Sequence, residues 1–176
     1  MILEKKRIKL RDLRLSDAGF IVENAKDKDI IKYTFVIAPP FGLKEAKGFI
    51  KKAQQEIRLK IAYEFGVELI KTKELIGTIN LFNISKKNKN AEIGIWLAKN
   101  YWGKGFSDEA LKLMLDFGFK KLGLKRIQAR VLHKNVAAQK LMKRAGFKLE
   151  GRLRKKTFLH NQWFDDLIYG LLSSEY

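Results

Sequence analysis

The chain has 176 residues, a net charge of +18, no cysteine and two histidines, which stand far apart in the sequence. This composition excludes a disulfide framework, a thiolate nucleophile and a histidine–cysteine metal site, and its 46% apolar residues suffice for the core of one domain. The N-terminus is too charged for a signal peptide, and no apolar run approaches the ~20 residues of a membrane span. We therefore expect a cytoplasmic protein with no metal and no membrane partner.

Apolar periodicity and turn residues predict the elements of the chain in order. These are a strand at Ile8–Leu13, a helix from Ser16 to about Ala25, a loop at Pro39–Gly42, a helix at Lys44–Leu59, strands at Ala62–Ile70, Leu75–Asn83 and Ala91–Leu97, a helix at Ser107–Lys121, a strand at Arg126–Leu132, a helix at Val136–Ala145, and strands at Phe147–Leu153 and Trp163–Leu172. Ser16 is the predicted N-cap of the first helix, and the loop of residues 35–42 is expected to border a substrate pocket. This order predicts an α/β (α+β) fold in a single domain, residues 1–176, with helices on the faces of a mixed sheet.

The positive charge, with a pI near 10.0, allows two interpretations. It predicts attraction to RNA, a ribosome, an acidic membrane face or a polyphosphate ligand, whereas a lysine-rich proteome of a heat-adapted organism produces the same composition. The basic residues are spread along the chain, without a basic tail or the interleaved aromatic residues that stack on bases. Both interpretations therefore stay open at this point.

A glycine-rich bend, Gly103-Lys104-Gly105-Phe106-Ser107, separates an apolar strand from a helical pattern. The first N–H groups of a helix have no internal partner, and glycines allow the positive φ values that direct such groups at a phosphate. The pattern is not a P-loop, because neither Ser nor Thr follows Lys104, and it is not GxGxxG, because Asp108 stands three residues after Gly105. The spacing alone leaves open a diphosphate site and an ordinary loop with Ser107 as N-cap.

Three motifs in the same order resemble the GNAT N-acetyltransferase superfamily. The segment from Trp102 to Ser107 resembles the family's acetyl-coenzyme A loop, Gln/Arg-x-x-Gly-x-Gly/Ala, and the flanking AEIGIWL and SDEALKLMLDFGF are similar to its strand and helix. The segment from Asn135 to Phe147 resembles the family's Asn-x-x-Ser…Gly-Phe helix. GRLRKKTFLHNQWFDDLIYGLL is similar to the closing strands of the branch of ribosomal-protein N-terminal and spermidine acetyltransferases. The resemblance covers the chain from Ile8 to Leu172.

This resemblance implies a GNAT-type mixed, mostly antiparallel sheet flanked by about four helices, and acetyl-coenzyme A (acetyl-CoA) as co-substrate. The residues that it places at the coenzyme are Ile95, Trp96, Leu97, Trp102, Gly103, Lys104, Gly105, Phe106, Ser107, Asp108, Asn135 and Arg144. Trp102 and Ser107 depart from the family's loop pattern, but the family's loop binds chiefly through main-chain N–H groups. Ala138 stands where a serine is common. Met142 stands where some members carry a tyrosine general acid, and methionine cannot donate that proton.

The resemblance also implies the catalytic groups. Glu92 matches the glutamate that many members carry on this strand and is the candidate general base, and pairing with nearby lysines on an exposed strand face is the alternative. The main-chain N–H of Leu97 matches the family's oxyanion contact. Tyr101 and Tyr169 are candidate proton donors to the thiolate, and packing is the alternative role for each. Arg144, with Lys140 and Lys143, could meet the coenzyme's 3′-phosphate or simply face solvent.

Three hypotheses for the acceptor remain at this point. The first is an N-terminal acetyltransferase for a ribosomal protein, whose amine, with a pKa of ~8, titrates near neutrality. The second is a polyamine or small-amine acetyltransferase, in which Glu23, Asp27, Asp29 and Glu56 form an acidic pocket. The third is a non-catalytic RNA- or ribosome-binding module on the same fold. Asp165 is expected to make a structural hydrogen bond, and the oligomeric state, including a homodimer, is left open.

Overall fold

The computed structural model describes residues 2–34 and 41–176, so residues 35–40 of the predicted pocket loop lie outside the described residues. Its strands are β1 (Ile2–Lys5), β2 (Ile8–Asp12), β3 (Tyr63–Leu69), β4 (Leu75–Ser85), β5 (Asn90–Leu97), β6 (Arg126–Leu132), β7 (Lys148–Leu159) and β8 (Gln162–Leu172). Its α-helices are α1 (Ala18–Asn24), α2 (Lys28–Ile31), α3 (Leu43–Leu59), α4 (Phe106–Asp116) and α5 (Val136–Arg144). None of these helices is both long and apolar enough to cross a membrane.

The strands form one eight-stranded sheet in the order β1-β2-β3-β4-β5-β6-β8-β7. Each neighbouring pair is antiparallel except β5 and β6, which run parallel. The predicted mixed, mostly antiparallel α/β fold is therefore confirmed. The described part of the chain has five α-helices rather than about four, because α2 is a single turn that periodicity does not reveal.

The parallel pair is short. Residues 90–92 of β5 pair with residues 126–128 of β6, whereas β5 continues to Leu97 and β6 to Leu132. Beyond these three pairs the two strands separate, and residues 93–96 and 129–132 line a common cavity. An opening in the middle of the sheet results.

Helices cover both faces of the sheet. α4 packs against β2, β4 and β5 through buried Leu111 and Met114, which belong to the main apolar core. α3 packs against β3 and α1 through Ala46, Ile50 and Ala53, whose spacing of three to four residues places them on one side of the helix. The helix predicted at Lys44–Leu59 thus lies over β3, in the part of the sheet formed by β1 to β5.

A buried ionic cluster joins β2, β3 and the start of α1. The Arg11 guanidinium donates to both oxygens of Asp17, at 2.7 and 2.9 Å, and its Nε donates to Glu68. Asp17 also accepts the main-chain N–H of Arg14 at 2.7 Å. The predicted cap at Ser16 was therefore wrong: a 3₁₀ turn at Leu15–Asp17 precedes α1, and Asp17 supplies the capping carboxylate.

Candidate active site

The glycine-rich bend forms the start of α4. Gly103 and Gly105 have φ values of +71° and +79°, and Gly105 is the N-cap of the helix. The N–H of Glu109 donates to the carbonyl of Gly105 (3.2 Å), so the three preceding amides of the helix have no partner within it. Ser107 is thus a first-turn residue and not the N-cap, as one interpretation of the sequence had it. The bend has the geometry of an anion cradle and fits a diphosphate.

Side-chain hydrogen bonds hold the glycine-rich bend in position on both sides. Trp102 Nε1 donates to the carbonyl of Leu97 at 2.7 Å, which ties the bend to the end of β5. Arg7 donates to the carbonyl of Lys104 at 3.0 Å and to the Glu109 carboxylate at 2.6 Å. The tryptophan that replaces the expected Gln/Arg therefore acts as a structural link between the cradle and the strand.

The acidic residue beside the cradle is neutralised. Asp108 accepts two hydrogen bonds from Arg144 of α5, at 2.8 and 3.1 Å. This pair explains how a carboxylate can stand next to an anion site: its negative charge is matched by a guanidinium from the neighbouring helix. Arg144, predicted to meet the coenzyme, therefore lies at the cradle. Its Nε and NH2 groups donate to Asp108, and its NH1 group takes part in neither bond.

A cavity of about 630 Å³ extends from the opening between β5 and β6 to the side of α3. Ile95, Trp96 and Asn135, predicted to contact the coenzyme, line it, as does Met142 from α5. Asn135 caps α5 by accepting the Ala138 N–H through Oδ1 at 3.1 Å. The sequence motifs at β5 and at α5 thus converge on one cavity.

The main chain of β5 directs donors into the opening. The N–H of Ala98 donates to the carbonyl of Ile76 (2.8 Å), and Leu97 stands opposite Gly77 in the antiparallel ladder. Because bonded and non-bonded pairs alternate in such a ladder, the N–H groups of Leu97 and Ile95 face away from β4, toward the separated β6. This is the orientation that an oxyanion donor at Leu97 requires, and that role stays a prediction.

The predicted base, Glu92, stands apart from the cavity lining. It is the last of the three paired residues at the closed end of β5, and its carboxylate accepts a hydrogen bond from Asn83 Nδ2 at 2.9 Å. The contact is with an amide rather than with the lysines that the alternative interpretation named. No contact in the described structure assigns Glu92 a catalytic role, and it remains a prediction.

A second carboxylate, which sequence reasoning missed, lies in the cavity wall. Glu64 on β3 is 7% exposed, accepts a hydrogen bond from Asn80 Nδ2 at 2.6 Å and is also bonded to Thr78. Burial raises the pKa of Glu64 to about 7, against the lowering effect of these two hydrogen bonds. The sequence contained one signal for this residue, a glutamate inside the strand YEFGVEL, whose residues are nearly all buried. A buried carboxylate needs a hydrogen-bonding partner or a function.

The raised pKa predicts how stability depends on pH. The folded protein keeps the Glu64 proton up to about pH 7, whereas the unfolded chain releases it near 4.5, so the stabilisation is lost as the pH rises between these values. From pH 5 to 8, the unfolding free energy of wild type should fall by roughly 2–3 kcal/mol relative to Glu64→Gln. Urea denaturation of both proteins at four pH values measures the difference, and parallel curves would contradict it.

The remaining candidates have structural partners. Tyr101 is hydrogen-bonded to Glu74, which with burial raises its pKa to about 12, and Tyr169 is buried in the core at 1% exposure. Asp165 accepts the main-chain N–H of Lys155 at 2.8 Å and a bond from Arg152 at 2.6 Å, which is the structural use expected from the sequence. No group of three or more metal-ligating side chains occurs in residues 2–34 and 41–176.

Of the predicted acidic pocket, only Glu56 lines the described cavity. Asp29 forms an ion pair with Lys99, and Asp27 caps α2 by accepting the N–H of Asp29 at 2.8 Å. The acidic side chains of the early helices are therefore mostly engaged in local contacts, which weakens the polyamine hypothesis.

Comparison with known proteins agrees with this geometry. The chain is 33% identical over 174 residues to a protein of Bacillus licheniformis named "Uncharacterized N-acetyltransferase p20", with 99% of this chain and 97% of that protein covered. It is 32% identical to the Bacillus subtilis protein named "Putative ribosomal N-acetyltransferase YdaF", over 63% of this chain and 62% of that protein. The structure of spermidine N-acetyltransferase from Vibrio cholerae, in complex with CoA and spermine, matches with a TM-score of 0.85, 27% identity and coverage of 97% and 98%.

The family assignment follows from the sequence as a whole. The profile of the acetyltransferase (GNAT) domain matches residues 7–148, which include the cradle, the opening between β5 and β6, and α5. Enzymes of this family use acetyl-CoA as co-substrate, which agrees with the anion cradle at α4. The chain belongs to the GNAT acetyltransferase family and is an acetyl-CoA-dependent N-acetyltransferase.

Proposed function

We propose that the protein acetylates the N-terminal α-amino group of a protein, of the kind found in ribosomes. The observation that carries this proposal is the cavity, which joins the opening between β5 and β6 to a wall beside α3. That wall presents aromatic Tyr33, Phe49 and Phe82, which suit the first side chains of a peptide. The similarity to a protein named for ribosomal N-acetylation supports the same acceptor class.

The chain's own residues would hold the coenzyme as follows. The free amides of Phe106, Ser107 and Asp108 receive the diphosphate at the positive end of α4. Asn135 has its Oδ1 bonded to the Ala138 amide, so its Nδ2 group is the one available to a pantetheine carbonyl. When bound, the coenzyme would supply an acetyl thioester, and the N–H of Leu97, which points toward the opening, would donate to the carbonyl oxygen that gains negative charge.

A second candidate acceptor is a polyamine. Two carboxylates, Glu56 and Glu64, lie on the same cavity wall, and the Vibrio cholerae structure is a spermidine acetyltransferase with bound spermine. Against this candidate, Glu56 pairs with Lys52 (3.7 Å), and the net charge of +18 repels a polycation at long range. The peptide acceptor is favoured on these grounds.

The test is a competition between the two acceptors. Wild-type protein is incubated with acetyl-CoA and either hexapeptides that carry ribosomal-protein N-terminal sequences or spermidine, and mass spectrometry locates the acetyl group. We expect modification of the α-amino group with a kcat/KM at least about tenfold above that for spermidine. Peptides with a blocked N-terminus serve as the control, and acetylation of spermidine alone would overturn the proposal.

A further inference from the structure

A polar unit crosses three neighbouring strands in the cavity wall. Glu64 on β3, Asn80 on β4 and Gly94 on β5 stand opposite one another in the sheet register. Asn80 Nδ2 donates to Glu64 at 2.6 Å, and the Thr78 hydroxyl bonds to the same carboxylate. The unit therefore runs from the α3 side of the cavity to the strand that borders the opening.

One acceptor atom of this unit has no partner. Asn80 Oδ1 is buried and makes no hydrogen bond with any described residue. It lies over Gly94, since a β-carbon built there would stand 2.7 Å from this oxygen. Asn80 lines the cavity, and because an unpaired buried acceptor is costly, its free Oδ1 points to a ligand that donates hydrogen bonds.

The carboxylate lacks a positive partner as well. Its hydrogen-bond partners, Thr78 and Asn80, are neutral, and the charge that acts on it is the like charge of the Glu56 carboxylate on α3. The cations that line the cavity are engaged elsewhere: Lys52 of α3 pairs with Glu56, and Arg130 of β6 pairs with Asp166 at 3.5 Å. An ionised Glu64 therefore needs a cation from the ligand, and an ammonium group supplies both the charge and the donors.

Building on the proposed function, we propose that Glu64 and Asn80 form the site that binds the acceptor's ammonium group, and that Glu64, rather than Glu92, accepts its proton. The ammonium donates to the Glu64 carboxylate and to Asn80 Oδ1, which holds its nitrogen on the side of β5 that faces the opening. Glu92 lies outside the cavity lining and is bonded to Asn83. Of the two carboxylates, Glu64 thus lines the cavity and Glu92 does not.

The proton and electron balance is simple. One ammonium proton moves to the Glu64 carboxylate and then to solvent, which frees the nitrogen lone pair. That pair forms the new C–N bond while the C–S bond of the thioester breaks and its electrons stay on sulfur. The second proton leaves the nitrogen and ends on the departing thiolate, so the products are the amide, the free thiol and one proton in solution.

Binding without coenzyme tests the ammonium site. Calorimetry compares a hexapeptide with a free N-terminus and its N-acetylated counterpart on wild type, Glu64→Gln and Glu92→Gln. Loss of a charge-assisted bond should weaken binding of the free-amine peptide to Glu64→Gln by about 10- to 100-fold, with binding of the acetylated peptide unchanged. The matched variant Glu92→Gln should bind both peptides as wild type does.

Kinetics tests the proton transfer. In wild type, kcat/KM for the peptide should rise as the pH passes about 7, because Glu64 must lose its proton, and this limb should be absent from Glu64→Gln. Equal affinity of Glu64→Gln and wild type for the free amine, or losses in Glu92→Gln instead, would overturn the inference. If Glu64→Gln does not fold, Asn80→Ala carries the test, with a loss of about fivefold or more expected for the free amine alone.

The two proposals fail in different ways. A wild-type protein that acetylates spermidine but no peptide overturns the proposed acceptor, and the same variants are then compared with spermidine as the binding probe. A wild-type protein that acetylates peptides, together with Glu64→Gln that binds and reacts normally, overturns only the role of Glu64.

Discussion

Replacement of Gly77 by alanine is expected to lower the acetylation rate about 100-fold and the unfolding free energy by about 1–3 kcal/mol. A β-carbon at this position would lie 2.2 Å from the carbonyl oxygen of Trp96 and 2.7 Å from the Cα of Leu97. Both contacts are with backbone, so no side-chain rotation relieves them, and the end of β5 must move. That movement displaces the N–H of Leu97, and misplacement by about 1 Å is enough for the loss in rate.

The matched control is Gly48→Ala. Gly48 lies within α3, a β-carbon there would meet nothing within 4 Å, and alanine should stabilise the helix by about 0.5–1 kcal/mol. Steady-state kinetics with a saturating acceptor peptide and urea denaturation measure the two effects. Normal turnover by a folded Gly77→Ala protein would disprove the assignment of the oxyanion contact to this end of β5.

Arg11→Met is expected to cost about 3–5 kcal/mol of unfolding free energy, the largest loss of stability among the substitutions considered. Arg11, Asp17 and Glu68 are 5%, 7% and 1% exposed, so the removal of the guanidinium leaves two carboxylates buried. Lys9 remains 2.9 Å from Glu68, but Asp17 loses both of its bonds from Arg11. Methionine keeps most of the side-chain volume, so the loss reports charge rather than packing.

Lys148→Met provides the exposed counterpart. Lys148 pairs with Glu175 and its side chain is 70% exposed, so its loss should cost less than about 1 kcal/mol. Urea denaturation at pH 7 compares the two variants with wild type. Similar small losses for both would show that the cluster around Arg11 is hydrated enough to behave like a surface pair.

Local patterns predicted most of the elements, and the failures have physical causes. The strand Arg126–Leu132 was predicted with its observed limits, because buried and less buried residues alternate along it. β7 extends to Leu159, six residues beyond the prediction, because nearly all of its residues lie at the surface and apolar periodicity is lost. The turn that follows uses His160 and Asn161 at φ values of +49° and +58°, without the glycine that usually marks such turns.

The candidate site was likewise predicted in one part and missed in another. The cradle at Gly103 and Gly105 was predictable, because a positive φ is a requirement of the local backbone that glycine satisfies. The unit of Glu64, Asn80 and Gly94 depends on the register of three strands, and its members stand 16 and 14 residues apart. Periodicity assigns each residue to a face of its strand but does not by itself say which residues of neighbouring strands stand opposite each other, so the missed carboxylate was recognised only when the strands were placed side by side.

The short parallel pairing between β5 and β6 has a consequence for cohesion. Three paired residues join the two halves of the sheet, one made of β1 to β5 and the other of β6, β8 and β7, and the Lys125 N–H adds a bond to the Lys89 carbonyl at 2.6 Å. A ligand bound between the separated parts of β5 and β6 would contact both strands and so connect the two halves of the sheet where backbone pairing is absent. Because such a ligand binds only the folded sheet, its binding free energy adds to the free energy of unfolding. The melting temperature of the protein should therefore rise with the concentration of coenzyme.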